Sequence, residues 1–291
     1  MEDITGMGTV AKSIVDKIAA AIGILYSDSD YKIKQESKRD FLKRVGESRD
    51  LCEYEKIAII SNFKSTFKEY KNKKDVIKIA LGQVKGNVEP DRVDGDWLSY
   101  FFNQAKNISN KDIQFIWGKL LANEFEIAGS VPKTLIHTLS ILDTYSATKF
   151  NRLCSLSVYL GDELAPFIVD ANGCGEIIQK EGISDTDIFE LEKLGLIYYN
   201  NIGYSYKGYE IHLGYKEYLY KVKRTCKGAI NLHENGIYAG CVRLSRDGKA
   251  LQKALEIVQS DLIPELIEKT YSNVNEWDIY EITKFNRKEA R

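Results

Sequence analysis

Apolar residues recur at helical spacing near the start of the chain, in the stretch GTVAKSIVDKIAAAIGILY at residues 8–26. The side chains that recur every three or four positions, and so share one helical face, are Ile14, Ile18, Ile22 and Leu25. The uncharged run that begins at Ile18 is much shorter than the roughly 20 apolar residues needed to span a bilayer. The pattern predicts an amphipathic N-terminal helix within residues 1–30. Its apolar face is a candidate contact with the core, a second copy or a membrane surface.

The pattern changes in residues 31–86, which are predicted to be mostly helical and highly charged. Apolar and aromatic side chains follow helical spacing at Ile57, Ile60, Phe63, Phe67 and Tyr70. We expect an interruption at Asn72-Lys73-Lys74. The stretch at residues 85–97 contains Gly86, Pro90 and Gly95 and is the best linker candidate in this half of the chain.

Residues 112–142 carry the densest apolar pattern and lie within a predicted compact helical core module at residues 94–162. Ser109 fits a helix N-cap, and an apolar stripe follows at Ile113, Ile116, Trp117, Leu120 and Leu121. Gly118 lies beside this stripe, although glycine in a helix costs about 1 kcal/mol relative to alanine. This glycine predicts a close helix–helix contact.

A mixed pattern begins at residue 173. A helix is predicted to end at Gly195, tyrosine-rich strands follow, residues 236–245 form a strand, and RDGKALQKALEIV forms a helix. This order is typical of a winged-helix-like α+β domain, here at residues 173–260. A C-terminal tail at residues 261–291 carries one more helix after Pro264. The predicted fold is mainly α, with helical N-terminal and central modules and this C-terminal α+β winged-helix-like domain.

Composition is that of an ordinary globular protein, but the charge is uneven. The 291-residue chain has a formal net charge of −1, whereas residues 31–86 contain fifteen Lys or Arg against eight Asp or Glu, a net of +7. That excess favours a solvated helical surface or a basic face for nucleic acid or anionic lipid. Five cysteines without a C-x-x-C pair are typical of reduced thiols. No signal peptide is readable, so we expect a cytoplasmic protein, or one peripheral to the inner membrane.

Motifs that would indicate catalysis are missing from the sequence. It contains no phosphate-binding glycine loop, no H-E-x-x-H and no G-x-S-x-G, and its histidines and cysteines lack metal-ligand spacing. We therefore predict a non-enzymatic protein with no cofactor and no metal. Eight of the eighteen tyrosines lie between Tyr198 and Tyr220, near several lysines. The candidate nucleic-acid contacts are Lys216, Lys221, Lys223 and Arg224, although tyrosine also suits an ordinary strand surface.

A resemblance to a known family rests on the following residues: Asp96-Trp97, Phe101-Phe102, Ala105, Asn107-Ile108-Ser109, Gln114, Trp117-Gly118, Leu120-Leu121-Ala122 and Gly129-Ser130. With them the chain resembles the bacterial domain-of-unknown-function family twenty-eight-oh-six. It also looks related to the Abi-alpha group, which is associated with abortive infection. The resemblance implies a role in defence against phage and no known catalysis. Trp97, Phe101, Phe102, Trp117 and Gly118 form its structural motif.

Two functional hypotheses follow. The first is a non-enzymatic phage-defence protein that acts through protein–protein or membrane contact, as a homo-oligomer or with a partner protein. The alternative is a nucleic-acid-binding module that uses the winged-helix-like domain and the basic N-terminal helices.

Overall fold

The computed structural model describes residues 8–23, 30–161, 163–167, 175–224, 236–272 and 280–286. The chain divides into two compact units, residues 1–140 and 141–291. The boundary differs from the predicted divisions, since the 85–97 stretch lies inside the first unit and the 94–162 module is shared between the two. Ile14, Ile18 and Ile22 lie in the described part of the N-terminal helix, and Leu25 lies outside the described residues.

The first unit is helical. Its elements are α1 (Thr9–Ile22), α2 (Asp30–Glu47), α3 (Glu53–Gln83), a 3₁₀ turn (Pro90–Arg92), α4 (Gly95–Ala105), α5 (Lys111–Glu126) and α6 (Lys133–Ile141). Helices α3 and α5 pack along each other, and α1 packs on α4. The predicted close contact at Gly118 is confirmed, because a Cβ at this position would lie 2.3 Å from Cγ2 of Ile79 in α3.

Two local predictions for this unit are wrong. Helix α3 continues through Asn72-Lys73-Lys74 without a break, because the buried Asn72 side chain donates to the Lys106 carbonyl, 2.8 Å away, instead of interrupting its own helix. The N-cap of α5 is Asn110, whose side chain accepts from the backbone N–H groups of Asp112 and Ile113. Ser109 instead bonds to Asn72.

The second unit combines helices with strands. Its elements are α7 (Thr144–Ser155), β1 (Ser157–Leu160), β2 (Glu163–Pro166), α8 (Gly175–Lys180), α9 (Asp185–Lys193), β3 (Ile197–Tyr199), β4 (Ser205–Lys207), β5 (Glu210–Tyr215), β6 (Tyr218–Arg224), β7 (Gly236–Tyr238), β8 (Val242–Leu244), α10 (Arg246–Ala254), α11 (Ile263–Ser272) and β9 (Tyr280–Asn286).

Antiparallel pairing organises these strands. A five-stranded sheet has the order β2-β1-β5-β6-β9, and two shorter ribbons pair β3 with β8 and β4 with β7. In the register of the large sheet, Tyr220 lies opposite Leu213 on one side and Lys284 on the other. Buried side chains of β5, β6 and α11, such as Leu213, Val222 and Leu266, contribute to the core.

The predicted class is confirmed in its coarser form: the described chain is mainly helical, and its strands lie in the C-terminal region. Three details differ from the expectation. The predicted strand at residues 236–245 is two strands, β7 and β8, separated at Gly240, which has a φ of +82°. The tail at residues 261–291 contributes β9 to the large sheet, and residues 157–160 form β1 instead of extending the helical module.

Candidate interaction surfaces

The residues of the predicted family motif form an aromatic cluster in the core of the first unit. The Phe101 ring lies 5.0 Å from the Trp97 ring and 4.9 Å from the Trp117 ring, measured between centroids. Phe102 meets Phe101 edge-on at 5.3 Å. All four side chains are buried. The Trp97 indole N–H also donates to the Val131 carbonyl, at 2.9 Å, so the cluster holds α4 and α5 to the chain that leads into α6.

A buried carboxylate fixes that same connection. Glu124 in α5 accepts hydrogen bonds from the backbone N–H groups of Gly129, at 2.6 Å, and Val131, at 2.9 Å. Burial raises the pKa of Glu124, and the hydrogen bonds from residues 129–131 offset that rise only in part. The Gly129-Ser130 pair of the motif is therefore the turn that closes around this side chain.

Buried amides join α3 to the α4–α5 connection. The Gln114 side chain donates to the Ile108 carbonyl at 2.7 Å and to Asn72 Oδ1 at 3.3 Å. Lys111 then links Gln114, at 2.9 Å, to Asp75 of α3, at 2.5 Å. Ile108, Ser109 and Gln114 of the motif thus serve internal hydrogen bonding, which a buried polar side chain requires.

The candidate membrane or oligomer face of α1 lies against α4. Ile14 and Ile18 are each 1% exposed, and Ile22 is half-buried. Polar contacts also hold this helix: Ser99 Oγ donates to the Ala21 carbonyl at 3.2 Å, and Lys17 Nζ donates to the Asp91 carbonyl at 3.5 Å. The face is covered by its own unit in this conformation.

The four candidate nucleic-acid contacts lie in β6 and in the turn that precedes it, and acids neutralise half of them. Lys216 pairs with Asp261, and this hydrogen bond raises the pKa of Lys216. Lys221 Nζ lies 2.7 Å from Glu210 Oε2. Lys223 is exposed but stands opposite Glu210 and Glu281 in the sheet register. Arg224 is half-buried, and its guanidinium donates to the Gly236 carbonyl at 3.5 Å.

A second aromatic and basic surface was not predicted residue by residue. The Arg243 guanidinium lies 4.2 Å from the Tyr204 ring centroid and 5.7 Å from that of Tyr206. Tyr198, which is 57% exposed, stands opposite Arg243 in the β3–β8 ribbon. Helix α10 begins just after β8, and its exposed basic side chains are Arg246, Lys249 and Lys253, of which Lys249 pairs with Glu163. Their i, i+3, i+7 spacing in the sequence could have identified this basic side of the helix.

Another missed surface is a lysine row on α3. Lys64, Lys68, Lys71 and Lys78 are exposed and follow i, i+4, i+7, i+14 spacing, which places them on one side of the helix. The charge excess of residues 31–86 indicated such a surface, and the spacing of the lysines would have located it.

Asp187 is the buried carboxylate of the second unit. It accepts from the Tyr145 hydroxyl at 2.7 Å and from the Ser184 hydroxyl at 2.8 Å, and Lys149 Nζ lies 3.0 Å away. Burial alone would raise the pKa of Asp187, but hydrogen bonds from Ser184, Tyr145 and Lys149 outweigh it and lower the pKa to about 2. Because Asp187 belongs to the Ser184 capping box, this cluster ties α7 to the start of α9.

Across the described ranges, no group of three or more His, Cys, Asp or Glu side chains is arranged to hold a metal ion. Nor does any helix in the described part of the chain have the length and apolarity to cross a membrane. Of the cysteines there, Cys52 is exposed and Cys154 and Cys241 are buried, and burial raises the pKa of the Cys154 thiol.

Comparison with known proteins gives one finding. The model of a family described as "Protein of unknown function (DUF2806)" matches residues 62–256, more than half of the chain. The matched range begins within α3 and ends just after α10, so α1, α2, α11 and β9 lie outside it. No curated protein and no solved structure matches.

Proposed function

The chain belongs to the DUF2806 family, and we propose that it is a non-enzymatic phage-defence protein of the abortive-infection type that acts through protein or membrane contact. The observation that carries this proposal is the use of the motif residues. All five residues of the structural motif serve packing: Trp97, Phe101, Phe102, Trp117 and Gly118. A motif of this kind maintains a scaffold, and the action then belongs to the surfaces that the scaffold presents.

Helix α1 is the element that acts in this proposal. It lies outside the family match, and it stays on α4 through two buried isoleucines, Ile14 and Ile18, and a few hydrogen bonds. Each isoleucine contributes roughly 1.5–3 kcal/mol by its burial. A trigger that favours the released helix by more than about 6 kcal/mol, the upper end for the two isoleucines, therefore frees this face, which then meets a membrane surface, a second copy or a partner protein.

Phage challenge of bacteria that express the protein tests the proposal. The variant Ile18→Asp places a charge in the buried face, whereas Ala20→Asp places the same charge at an exposed position of the same helix. We expect the parent and Ala20→Asp to reduce plaque counts and Ile18→Asp to lose protection or change the mass measured by light scattering. The proposal is contradicted if the parent gives no protection. It is also contradicted if the parent protects and Ile18→Asp has the same plaque counts and the same mass.

Nucleic-acid binding is the second candidate function, and the Arg243 surface favours it. In this account α8, α9 and the β3–β8 ribbon form a winged-helix-like domain. The exposed side of α9 carries Asp185 and Glu190, which repel phosphates. The contact would therefore use the tyrosines around Arg243 for stacking and the basic side of α10 for phosphates.

Fluorescence anisotropy with labelled single-stranded and duplex DNA and RNA tests this second candidate. Binding should weaken steeply as salt rises, and the double variant Arg243→Ala/Lys253→Ala should weaken it further. Lys216→Ala/Lys221→Ala is the matched control, because these two lysines already pair with Asp261 and Glu210. Equal affinities for the parent and the double variant, or no binding at low salt, exclude this surface.

A further inference from the structure

No acid in the described part of the chain pairs with the lysine row of α3. Among the described residues, no ion pair or hydrogen bond engages Lys64, Lys68, Lys71 or Lys78. The row extends over about 21 Å, given a rise of about 1.5 Å per residue. Four exposed cations on one side of a helix attract an extended anionic surface more strongly than a small anion, because one small anion reaches only one or two of them.

Three of the four acids of the same helix pair with lysines outside the row, and the fourth, Glu55, accepts from the Cys52 backbone N–H at 2.8 Å. Glu53 pairs with Lys56 at 3.4 Å, Glu69 pairs with Lys106 at 3.4 Å, and Asp75 pairs with Lys111 at 2.5 Å. Asp75 lies between Lys71 and Lys78 on the row's side of the helix, but its charge is matched by Lys111. The row therefore keeps its positive potential.

Exposed apolar side chains continue the row toward the start of α3. Ile57 precedes Lys64 by seven residues, which is two helical turns, and is 63% exposed. Tyr54, one turn earlier, is 86% exposed. The part of α3 before Asn72 contains no fully buried side chain, whereas Val76, Ile77 and Ala80 beyond it are buried in the unit. The N-terminal part of α3 thus offers one surface with apolar and aromatic residues at one end and lysines along the rest.

We propose that this surface of α3, from Tyr54 to Lys78, docks the protein on an anionic lipid bilayer. Lysines near such a surface gain attraction from the acidic headgroups. A tyrosine and an isoleucine at the end of the row enter the boundary between headgroups and acyl chains. Ile57 distinguishes this ligand from nucleic acid, because an exposed aliphatic side chain gains nothing from a phosphate backbone. The inference rests on the proposed membrane-contact function and names the surface that makes the first contact.

Co-sedimentation of the full chain with vesicles tests the inference. The vesicles consist of phosphatidylcholine alone or of phosphatidylcholine mixed with phosphatidylglycerol. We expect binding only to the mixed vesicles. The triple variant Lys64→Glu/Lys68→Glu/Lys71→Glu should weaken that binding on the order of 100-fold, and Ile57→Ser should weaken it about tenfold. Circular dichroism checks that each variant is folded.

The matched control is Lys180→Glu/Lys193→Glu/Lys207→Glu, which changes the net charge equally at exposed lysines of the second unit. An equal loss of binding in both triple variants would show that only net charge matters and would overturn the inference. Failure of the parent protein to bind the mixed vesicles would also overturn the inference. The protein could instead bind duplex DNA, with binding lost in the α3 triple variant and unchanged in Ile57→Ser. That result would assign the row to nucleic acid and would also overturn the inference.

The vesicle test also separates this inference from the proposed function. If Ile18→Asp removes vesicle binding and the α3 triple variant keeps it, the membrane contact belongs to α1; the proposed function then stands and this inference fails. If the α3 triple variant loses vesicle binding while the parent gives no protection against phage, the α3 surface stands and the defence role fails.

Discussion

Among the described residues, each unit buries one carboxylate within a set of hydrogen-bond donors, yet the pKa values of the two acids shift in opposite directions. Glu124 in the helical unit accepts from neutral groups of residues 129–131, and its pKa is raised. Asp187 in the unit with strands also has Lys149 beside it, and its pKa falls to about 2. At Glu124 the neutral donors thus offset only part of the desolvation, whereas at Asp187 the hydrogen bonds from Ser184, Tyr145 and Lys149 together outweigh it, with Lys149 contributing least.

The two units also differ in what limits close packing at a helical glycine. At Gly118 the obstacle to a larger residue is mainly the Ile79 side chain, 2.3 Å from an added Cβ. At Gly248, in α10, the obstacle is the backbone carbonyl of Leu196, 1.9 Å from an added Cβ. Close packing is limited at Gly118 by a side chain that can be replaced, and at Gly248 by the backbone just before β3, which no substitution removes.

The largest expected effect is the loss of a buried aromatic ring. Trp117→Ala in the first unit and Phe150→Ala in the second should each lower the free energy of unfolding by roughly 3–5 kcal/mol, through lost burial and the cavity left behind. The exposed Ile127 gives the control Ile127→Ala, for which we expect a change within about 0.5 kcal/mol. Urea unfolding followed by circular dichroism measures the loss.

Hydrogen exchange then shows where each loss falls. Amide protection should decrease most within the unit that carries the substitution. An unchanged unfolding midpoint for Trp117→Ala would contradict the packing account of the aromatic cluster.

Glycine substitutions are expected to have the next largest effect. Gly248→Ala should destabilise the protein by about 3 kcal/mol and Gly118→Ala by about 1–3 kcal/mol, both through overpacking. Adding Ile79→Ala to Gly118→Ala should restore part of the loss, because it removes the Cγ2 atom closest to the new methyl group. Trimming Leu244, the side chain nearest to Gly248, should restore nothing, because the Leu196 carbonyl remains. Thermal unfolding midpoints of the four variants measure this rescue. Full recovery of the Gly248→Ala midpoint by trimming Leu244 would contradict the proposed difference between the two glycine sites.

Sequence periodicity predicted the first unit better than the second for a physical reason. A helical stripe such as Trp117, Leu120 and Leu121 is local, so spacing alone identifies the buried side. The close approach at Gly118 was predictable, but its partner Ile79, thirty-nine residues away, was not. Strand β9 was missed because its sequence, YEITKFN, is mostly polar. Its pairing with β6 supplies backbone hydrogen bonds that composition does not reveal.

The candidate surfaces show the same limit. The charge excess of residues 31–86 indicated a basic surface, and the structure assigns part of it to one side of α3. Lys216 and Lys221 were good candidates by composition, but they pair with Asp261 and Glu210. Asp261 is forty-five residues from Lys216 in sequence, so its neutralising role depends on the folded chain. Local spacing finds cations, and tertiary structure decides which of them remain available.

The two buried acids predict opposite pH dependences. The folded-state pKa of Asp187, about 2, lies below its ordinary value of 3.8, so its contribution of about 2 kcal/mol is present above pH 4 and is lost as pH falls toward 2. The folded-state pKa of Glu124 lies above 4.5, so its contribution is greatest below pH 4.5 and declines as pH rises through the folded value. Urea unfolding across this pH range measures the free energy of unfolding. Asp187→Asn should remove its loss toward pH 2, and Glu124→Gln should remove its decline above pH 4.5. Parallel profiles for the parent and either variant would contradict the assignment.

The smallest expected difference concerns two helix caps. In the first unit, Asn110 caps α5 by accepting from Asp112 N–H at 2.9 Å, and Asn110→Ala should lower the free energy of unfolding by about 1 kcal/mol. In the second unit, the Ser184 hydroxyl accepts from Asp187 N–H at 3.3 Å and also donates to the Asp187 carboxylate at 2.8 Å. Ser184→Ala therefore removes a cap and one of the hydrogen bonds that hold the pKa of Asp187 low, and should lower the unfolding free energy by about 2 kcal/mol at neutral pH.

The pH dependence of these cap variants separates the two roles. Below pH 2 Asp187 becomes protonated in the folded parent as well, and a neutral carboxyl accepts weaker hydrogen bonds than a carboxylate. The difference between Ser184→Ala and Asn110→Ala should therefore shrink toward the common cost of a lost cap, while the loss in Asn110→Ala stays constant with pH. Equal losses for the two caps at neutral pH would mean that the Ser184 backbone N–H, Tyr145 and Lys149 hold the Asp187 charge without the Ser184 hydroxyl. The contrast between the two buried acids would then rest on those three groups.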